Sequence, residues 1–293
     1  MTSGLLFMAV FLGFPEPGSS TDEYPRPGLL IEPAELAKAD IAKEFVVLDA
    51  RDKTKYEQGH VPDARWVDHA AWSAGFGDGD DAEAWSKRIG GLGIEQASKV
   101  VIYDDGPSKD AARIWWILRY WGVENARLLN GGMTGWKAGK FPVGSGAQSP
   151  DPAEFTATPQ AARLATKGRL LEALKAKSLQ IVDARSEGEF CGTDKLKNKR
   201  AGAIPAAKHL EWSDLIDKQT QRFKPPAAIR DLFEQTGIDV KKPTATHCQG
   251  GGRSSVMAFG LELMGAKDVQ NYYRGWGEWG NADDTPVEPG KAK

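Results

Sequence analysis

A chain of 293 residues has room for two domains of ordinary size, each with its own core. With 41% apolar and 27% charged residues and a formal charge of -2, it has the composition of a soluble globular protein. That excludes fibrous, disordered and membrane-spanning classes and shows no basic footprint for nucleic acid or an acidic membrane face. Its two cysteines, Cys191 and Cys248, form neither a disulfide framework nor the CxxC spacing of a zinc site.

The chain begins with an apolar run, Leu5 to Leu12, followed by the breaker-rich "GFPEPGSSTDEYPRPG". The run is too short to span a bilayer. It suits the hydrophobic part of an export signal, with Gly18, Ser19 and Ser20 as a cleavage zone, although the usual positive start is missing. A misassigned start codon or a packed N-terminal segment would look the same.

Beyond it the sequence repeats. "VVLDAR" (46 to 51) returns as "QIVDAR" (180 to 185), "GHVPDA" (59 to 64) as "GAIPAA" (202 to 207), and "GGMTGW" (131 to 136) as "RGWGEW" (274 to 279). The first pair is offset by 134 residues and the other two by 143, so the second copy carries an insertion, "CGTDKLKNKR". In the first copy "FVVLDA" and "KVVIYDD" read as strands and "AARIWWILRYWG" as a helix stopped by glycine. "GSGAQSPDPAEFTATPQ" reads as an exposed linker. In the second copy "SLQIVDA" and "TATHC" read as strands and "SVMAFGLELMG" as a helix. Strands alternating with helices predict a parallel sheet with helices on both faces, once per copy, with ligands at the carboxyl ends of the strands. The expected organisation is a possible leader at 1–24, a first domain at 25–145, a linker at 146–165 and a second domain at 166–289.

"THCQGGGRSS" (246 to 255) occupies a strand, loop and helix start. Three glycines let the chain curl so that the backbone N–H groups of Gln249, Gly250, Gly251, Gly252, Arg253 and Ser254 converge on the Cys248 sulfur. Ser254 or Ser255 is the expected helix N-cap. Such a ring, with the positive end of the helix, favours thiolate over thiol and would equally hold a second sulfur on the first. A cysteine serving only as a small core residue would not need three glycines behind it. Protein tyrosine phosphatases place five residues between their cysteine and arginine. Here there are four between Cys248 and Arg253, a tighter ring suited to one sulfur atom rather than a tetrahedral oxyanion.

With "LDARDKTKYEQGHVPDA", "VDARSEGEF" followed by "GAIPAA", "HCQGGGRSS" and "YYRGWGEWGNADDTPV" in place, the chain resembles the tandem-domain rhodaneses, the thiosulfate and 3-mercaptopyruvate sulfurtransferases, from about residue 25 to 289. The resemblance implies two similar rhodanese-like domains, a silent first domain, and Cys248 as a nucleophile that carries sulfur as a persulfide. It implies that Arg185 binds the anionic donor and that Arg200, in the insertion, binds a donor carboxylate. Arg253 would guard the loop rim, or pair with a carboxylate such as Asp68.

The 143-residue offset puts Asp105 opposite Cys248, and a shift of one residue would put Asp104 there; neither carries sulfur. Trp115, Trp116 and Trp121 are expected core. Asp49 and Asp183, present in both copies, read as architecture, and His247, adjacent to the nucleophile on a strand, as a buried partner rather than a base. His60, His69 and His209 have no metal-ligand spacing, Cys191 is a bystander, and the glycine runs make no dinucleotide fingerprint or P-loop.

The expected reaction is a double displacement, needing no metal or organic cofactor. A small anionic sulfur donor loads Cys248, and a thiol, cyanide or protein-thiol acceptor unloads it. Arg253 suits thiosulfate and Arg200 suits 3-mercaptopyruvate, with thiosulfate preferred. The rivals are a cysteine-dependent phosphatase or arsenate reductase, and a non-catalytic sulfur carrier or binding module.

Overall fold

A computed structural model describes residues 23–77 and 79–290. The apolar run at 5–12 lies outside the described residues. The first half contains strands β1 (Leu30–Ile31), β2 (Phe45–Asp49), β3 (Arg65–Trp66), β4 (Lys99–Tyr103) and β5 (Ala126–Leu129). Its helices are α1 (Pro33–Leu36), α2 (Ala39–Ala42), α3 (Lys53–Gln58), α4 (His69–Gly75), α5 (Ala82–Gly90), α6 (Lys109–Tyr120) and α7 (Gly132–Ala138). The second half contains β6 (Gln180–Asp183), β7 (Lys208–His209), β8 (Thr244–His247) and β9 (Val269–Tyr272), with α8 (Lys167–Ala176), α9 (Glu187–Cys191), α10 (Pro226–Thr236), α11 (Gly252–Leu263) and α12 (Gly275–Trp279).

Every pairing between these strands is parallel, in the orders β1-β5-β4-β2-β3 and β7-β6-β8-β9. A parallel sheet must be covered on both faces, and three apolar clusters do so. One, around Val47, Val101 and Trp136, fills the outer face of the first sheet. A second, around Ile181, Ala245 and Trp276, fills the outer face of the second. The third is continuous through both halves, because α6 and α11 pack on each other.

The aromatic helix is this junction. Trp115, Trp116 and Trp121 are fully buried, as the sequence predicts. Trp115 meets Phe259 edge-on at 4.9 Å, and Trp116 stacks on Tyr273 at 5.2 Å. Offset aromatic contacts of this kind weld the first half to the loop-bearing half, so residues of one half are held at fixed positions against the other. The connecting segment is tied to both halves, through Ala153 N to Gly90 O (2.9 Å), Thr158 N to Trp121 O (3.1 Å) and Ala165 N to Asn271 O (3.1 Å).

The register corrects the sequence alignment of the two copies. Asp49 pairs with Tyr103 and Asp183 with His247, so Tyr103 answers His247 and Asp104, not Asp105, answers Cys248. Asp105 instead lies half-exposed, in an ion pair with Lys55 at 2.5 Å.

Candidate active site

β8 ends at His247, Cys248 follows with 2% of its surface exposed, and α11 begins four residues later at Gly252. The loop's carbonyls are drawn away from its interior. Cys248 O accepts from Trp276 N (2.7 Å) and Gln249 O from Gly277 N (2.9 Å), both at the start of α12. Gly251 O accepts from Ser255 N (3.0 Å) and from the hydroxyls of Ser254 (3.0 Å) and Ser255 (2.7 Å). The two serines are therefore not the N-cap. Gly251 takes that position, and the hydroxyls sit in the first turn, donating back to its carbonyl. Among the described residues, no protein acceptor meets the N–H groups of Gln249, Gly250, Gly251, Gly252, Arg253 or Ser254. Three carbonyls tied back and a run of unpaired amides at a helix start are the ingredients of an anion site.

Each glycine has its own reason. Gly251 has φ +88°, in the left-handed region, and a Cβ there would lie 2.6 Å from the Tyr273 ring. Gly250 is exposed, with open space where its Cβ would be. At Gly252 a Cβ would lie 2.5 Å from Arg113 Nη2, a side chain of the first half. Gly275 lets α12 close on the loop: its φ is +56°, and a Cβ would lie 2.2 Å from Cys248 O. A cleft of about 370 Å³, lined by Ser73, Gly77, Gly250, Tyr273, Gly277 and Glu278 among others, opens beside the loop between the halves.

The three arginines expected to hold the donor are otherwise engaged. Arg185 is 1% exposed. Its Nε donates to Asp183 Oδ1 (2.9 Å), its Nη2 to Asp183 Oδ2 (2.6 Å) and Gly202 O (2.7 Å), and its guanidinium lies on the Trp276 ring. Arg51 repeats this in the first half with Asp49 and Gly59 O, so the Asp–Arg pairing is common to both halves. Arg200 is spent on backbone carbonyls of the C-terminal segment, including Trp279 O (2.7 Å) and Thr285 O (2.6 Å). It pins that segment rather than receiving a carboxylate. Arg253 forms a two-pronged pair with Glu189 at 2.5 and 2.8 Å, not with Asp68, which caps α4.

Burial works against the charge of Arg253, but Glu189 and the adjacent Cys248 outweigh it and raise its pKa. Glu189 is held low in turn: burial opposes ionisation, and Arg253 and Ser186 overcome it. His247 is fully buried, and burial pushes its pKa down to about 4 against the pull of Asp183, 3.4 Å away. It is neutral at ordinary pH, in keeping with a buried partner.

Sequence reading missed the braces. Asn198, inside the insertion, exchanges two side-chain hydrogen bonds with Gln249 (3.1 and 2.9 Å), so the insertion supports the loop directly. Glu189 and Trp276 were likewise invisible, being contacts between segments far apart in sequence. The repeat of "GGMTGW" was the one available signal for α12.

A buried cysteine at a strand end, followed by a loop of unpaired amides on a doubled parallel α/β fold, is an arrangement suited to thiol chemistry. The chain belongs to the rhodanese family: the Rhodanese-like domain matches twice, at residues 32–139 and 166–282. It is 33% identical to a thiosulfate sulfurtransferase of Azotobacter vinelandii over 91% of this chain and 99% of that one. It is 32% identical to the human 3-mercaptopyruvate sulfurtransferase over 87% of this chain and 86% of that one. Among solved structures, EanB captured as a cysteine persulfide with ergothioneine superposes with a TM-score of 0.84 at 25% identity, covering 92% of this chain and 73% of that one.

Proposed function

We propose that the protein is a thiosulfate sulfurtransferase working through a Cys248 persulfide. The observation that carries this reading is the run of six consecutive amides, Gln249 to Ser254, with no protein acceptor among the described residues, directly after the buried Cys248. The Cys248 thiolate attacks the outer sulfur of thiosulfate, the donor's S–S bond breaks, and its electron pair leaves on sulfite. The new persulfide keeps its negative charge on the outer sulfur, within reach of the amides. Cyanide or a thiol then takes that sulfur, forming thiocyanate or a new persulfide and returning Cys248 to the thiolate.

Thiosulfate is preferred to 3-mercaptopyruvate because Arg200, the residue that favoured a carboxylate donor, is consumed by backbone carbonyls. The persulfide described for EanB supports the same intermediate on a similar fold. Residues 25–145 form the silent domain, 146–165 the linker and 166–289 the catalytic domain.

Intact mass after exposure to each donor tests the reading. Thiosulfate should add one sulfur, about 32 Da, to the wild type and nothing to Cys248→Ser. Steady-state cyanolysis should follow, whereas a carrier would load once and stall. Wild-type protein that takes up no sulfur from either donor would remove the proposal.

A further inference from the structure

We propose that Arg113, supplied by the catalytically silent half, receives the anionic end of the sulfur donor; the inference rests on the sulfur-transfer reading. Arg185, Arg200 and Arg253 are each engaged by a carboxylate or by carbonyls. Arg113, half-buried on α6, is different. Its Nη1 donates to the Ser73 hydroxyl and to Tyr273 OH (3.2 Å), both neutral, and no carboxylate among the described residues pairs with it. Its positive charge is therefore uncompensated at close range.

Its placement follows from the second glycine contact. A Cβ at Gly252 would lie 2.5 Å from Nη2, 3.1 Å from Cζ and 3.2 Å from Nε of Arg113, so the guanidinium packs, Nη2 foremost, against the first residue of α11. Gly252 has no left-handed φ to explain it. The absent side chain makes room for this cation at the end of the amide ring. Tyr273 fixes the group from the other side, its ring 5.6 Å from the guanidinium carbon and against Gly251, so one aromatic positions both the loop and the arginine. The cleft beside them is lined by Ser73, Tyr273 and Gly250.

Chemically, this is a planar fork of donors set beside the nucleophile's loop, where a departing sulfite gathers charge. It would favour anionic donors over neutral ones. It also explains how a domain without a sulfur-carrying residue takes part in the reaction.

The test compares Arg113→Gln and Arg113→Lys with wild type in cyanolysis of thiosulfate, in competitive inhibition by sulfite, and in single loading by a neutral organic trisulfide. Arg113→Gln should raise the thiosulfate KM about tenfold or more and weaken sulfite to match, with trisulfide loading within about twofold of wild type. Arg113→Lys should recover part of the loss. An unchanged KM in both variants, or an equal loss with charged and neutral donors, overturns the proposal. If Arg113→Gln does not fold, Arg113→Lys decides: it keeps the charge without the fork, and should raise KM with kcat retained. Wild-type protein inert to every donor would instead defeat the sulfur-transfer reading itself.

Discussion

Asp104 and Cys248 stand at the same point of the two halves. Each directly follows the strand residue paired with an aspartate, and each carbonyl accepts an N–H from the α-helix that follows the next strand, Met133 N at 2.8 Å for Asp104 and Trp276 N at 2.7 Å for Cys248. The difference is what fills the ring. The Asp104 carboxylate accepts from the backbone N–H groups of Gly106 (2.9 Å), Ser108 (3.1 Å), Asp110 (3.0 Å) and Ala111 (3.1 Å). The first half fills its loop with its own carboxyl group; the second leaves its loop amides without a protein acceptor.

Asp104→Ala should therefore strand four buried donors. The expected cost is about 2–4 kcal/mol of first-half stability, visible as a shifted denaturation midpoint, while Asp104→Asn keeps an acceptor and loses less. An alanine variant as stable as wild type would show that the carboxylate does not satisfy this loop.

The three loop glycines should separate in an alanine series. Gly250→Ala meets open space and should leave stability within about 0.5 kcal/mol. Gly252→Ala must displace the end of a flexible arginine. Gly251→Ala combines a left-handed φ with a ring 2.6 Å away and should cost most, at least about 2 kcal/mol, with sulfur transfer lost. Thermal melts beside cyanolysis rates check the order, and Gly250→Ala as the worst of the three would contradict it.

What could be read from sequence divides along a physical line. Parallel sheets, the doubled plan and the armed loop follow from local patterning: β-branched runs, helical spacing, and glycines behind a cysteine. The buried state of Trp115 and Trp116 follows from bulk and apolarity alone. Partners of long charged side chains do not, because an arginine reaches across several elements before finding its acceptor. The resemblance assigns Arg185 and Arg200 to the donor, and in the structure they turn to Asp183 and to the C-terminal carbonyls. One cue is present: "DAR" occurs in both copies, while only the second copy carries the cysteine loop, so a feature common to both argues for architecture. From sequence alone Asp104 comes second to Asp105 because the offset of 143 residues, which two of the repeated motifs share, slips by one at the loop, as the strand register shows.

The Glu189–Arg253 pair sets how much positive charge the loop rim presents. Glu189→Gln should release Arg253 toward the donor and lower the thiosulfate KM about threefold or more, whereas Arg253→Gln should raise it. Because Glu189 is held below its usual value, the pair is intact at every pH above the unfolded carboxylate's and dissolves only in stronger acid. The KM contrast should therefore be flat from pH 5 upward. Steady-state kinetics at two pH values measure it, and equal KM values for all three proteins would remove the pair from donor binding.

His247 supplies an acid weakness that its counterpart lacks. Tyr103 donates to Asp49 Oδ2 at 2.6 Å, while both ring nitrogens of His247 lack a hydrogen-bond partner among the described residues, Nε2 resting 3.4 Å from Asp183 Oδ2. Burial pushes the pKa of His247 from 6.5 to about 4 in the folded protein. Between those values the unfolded chain binds a proton that the native state refuses, so stability is complete above about pH 6.5 and falls as pH drops toward 4. Asp183, held low despite burial by His247 and Arg185, adds its own loss only at still lower pH. His247→Tyr copies the first half, giving Asp183 a hydroxyl and removing the titration. Its denaturation midpoint should be nearly level between pH 6.5 and 4 while the wild type's declines, and parallel declines in the two proteins would place the acid sensitivity elsewhere.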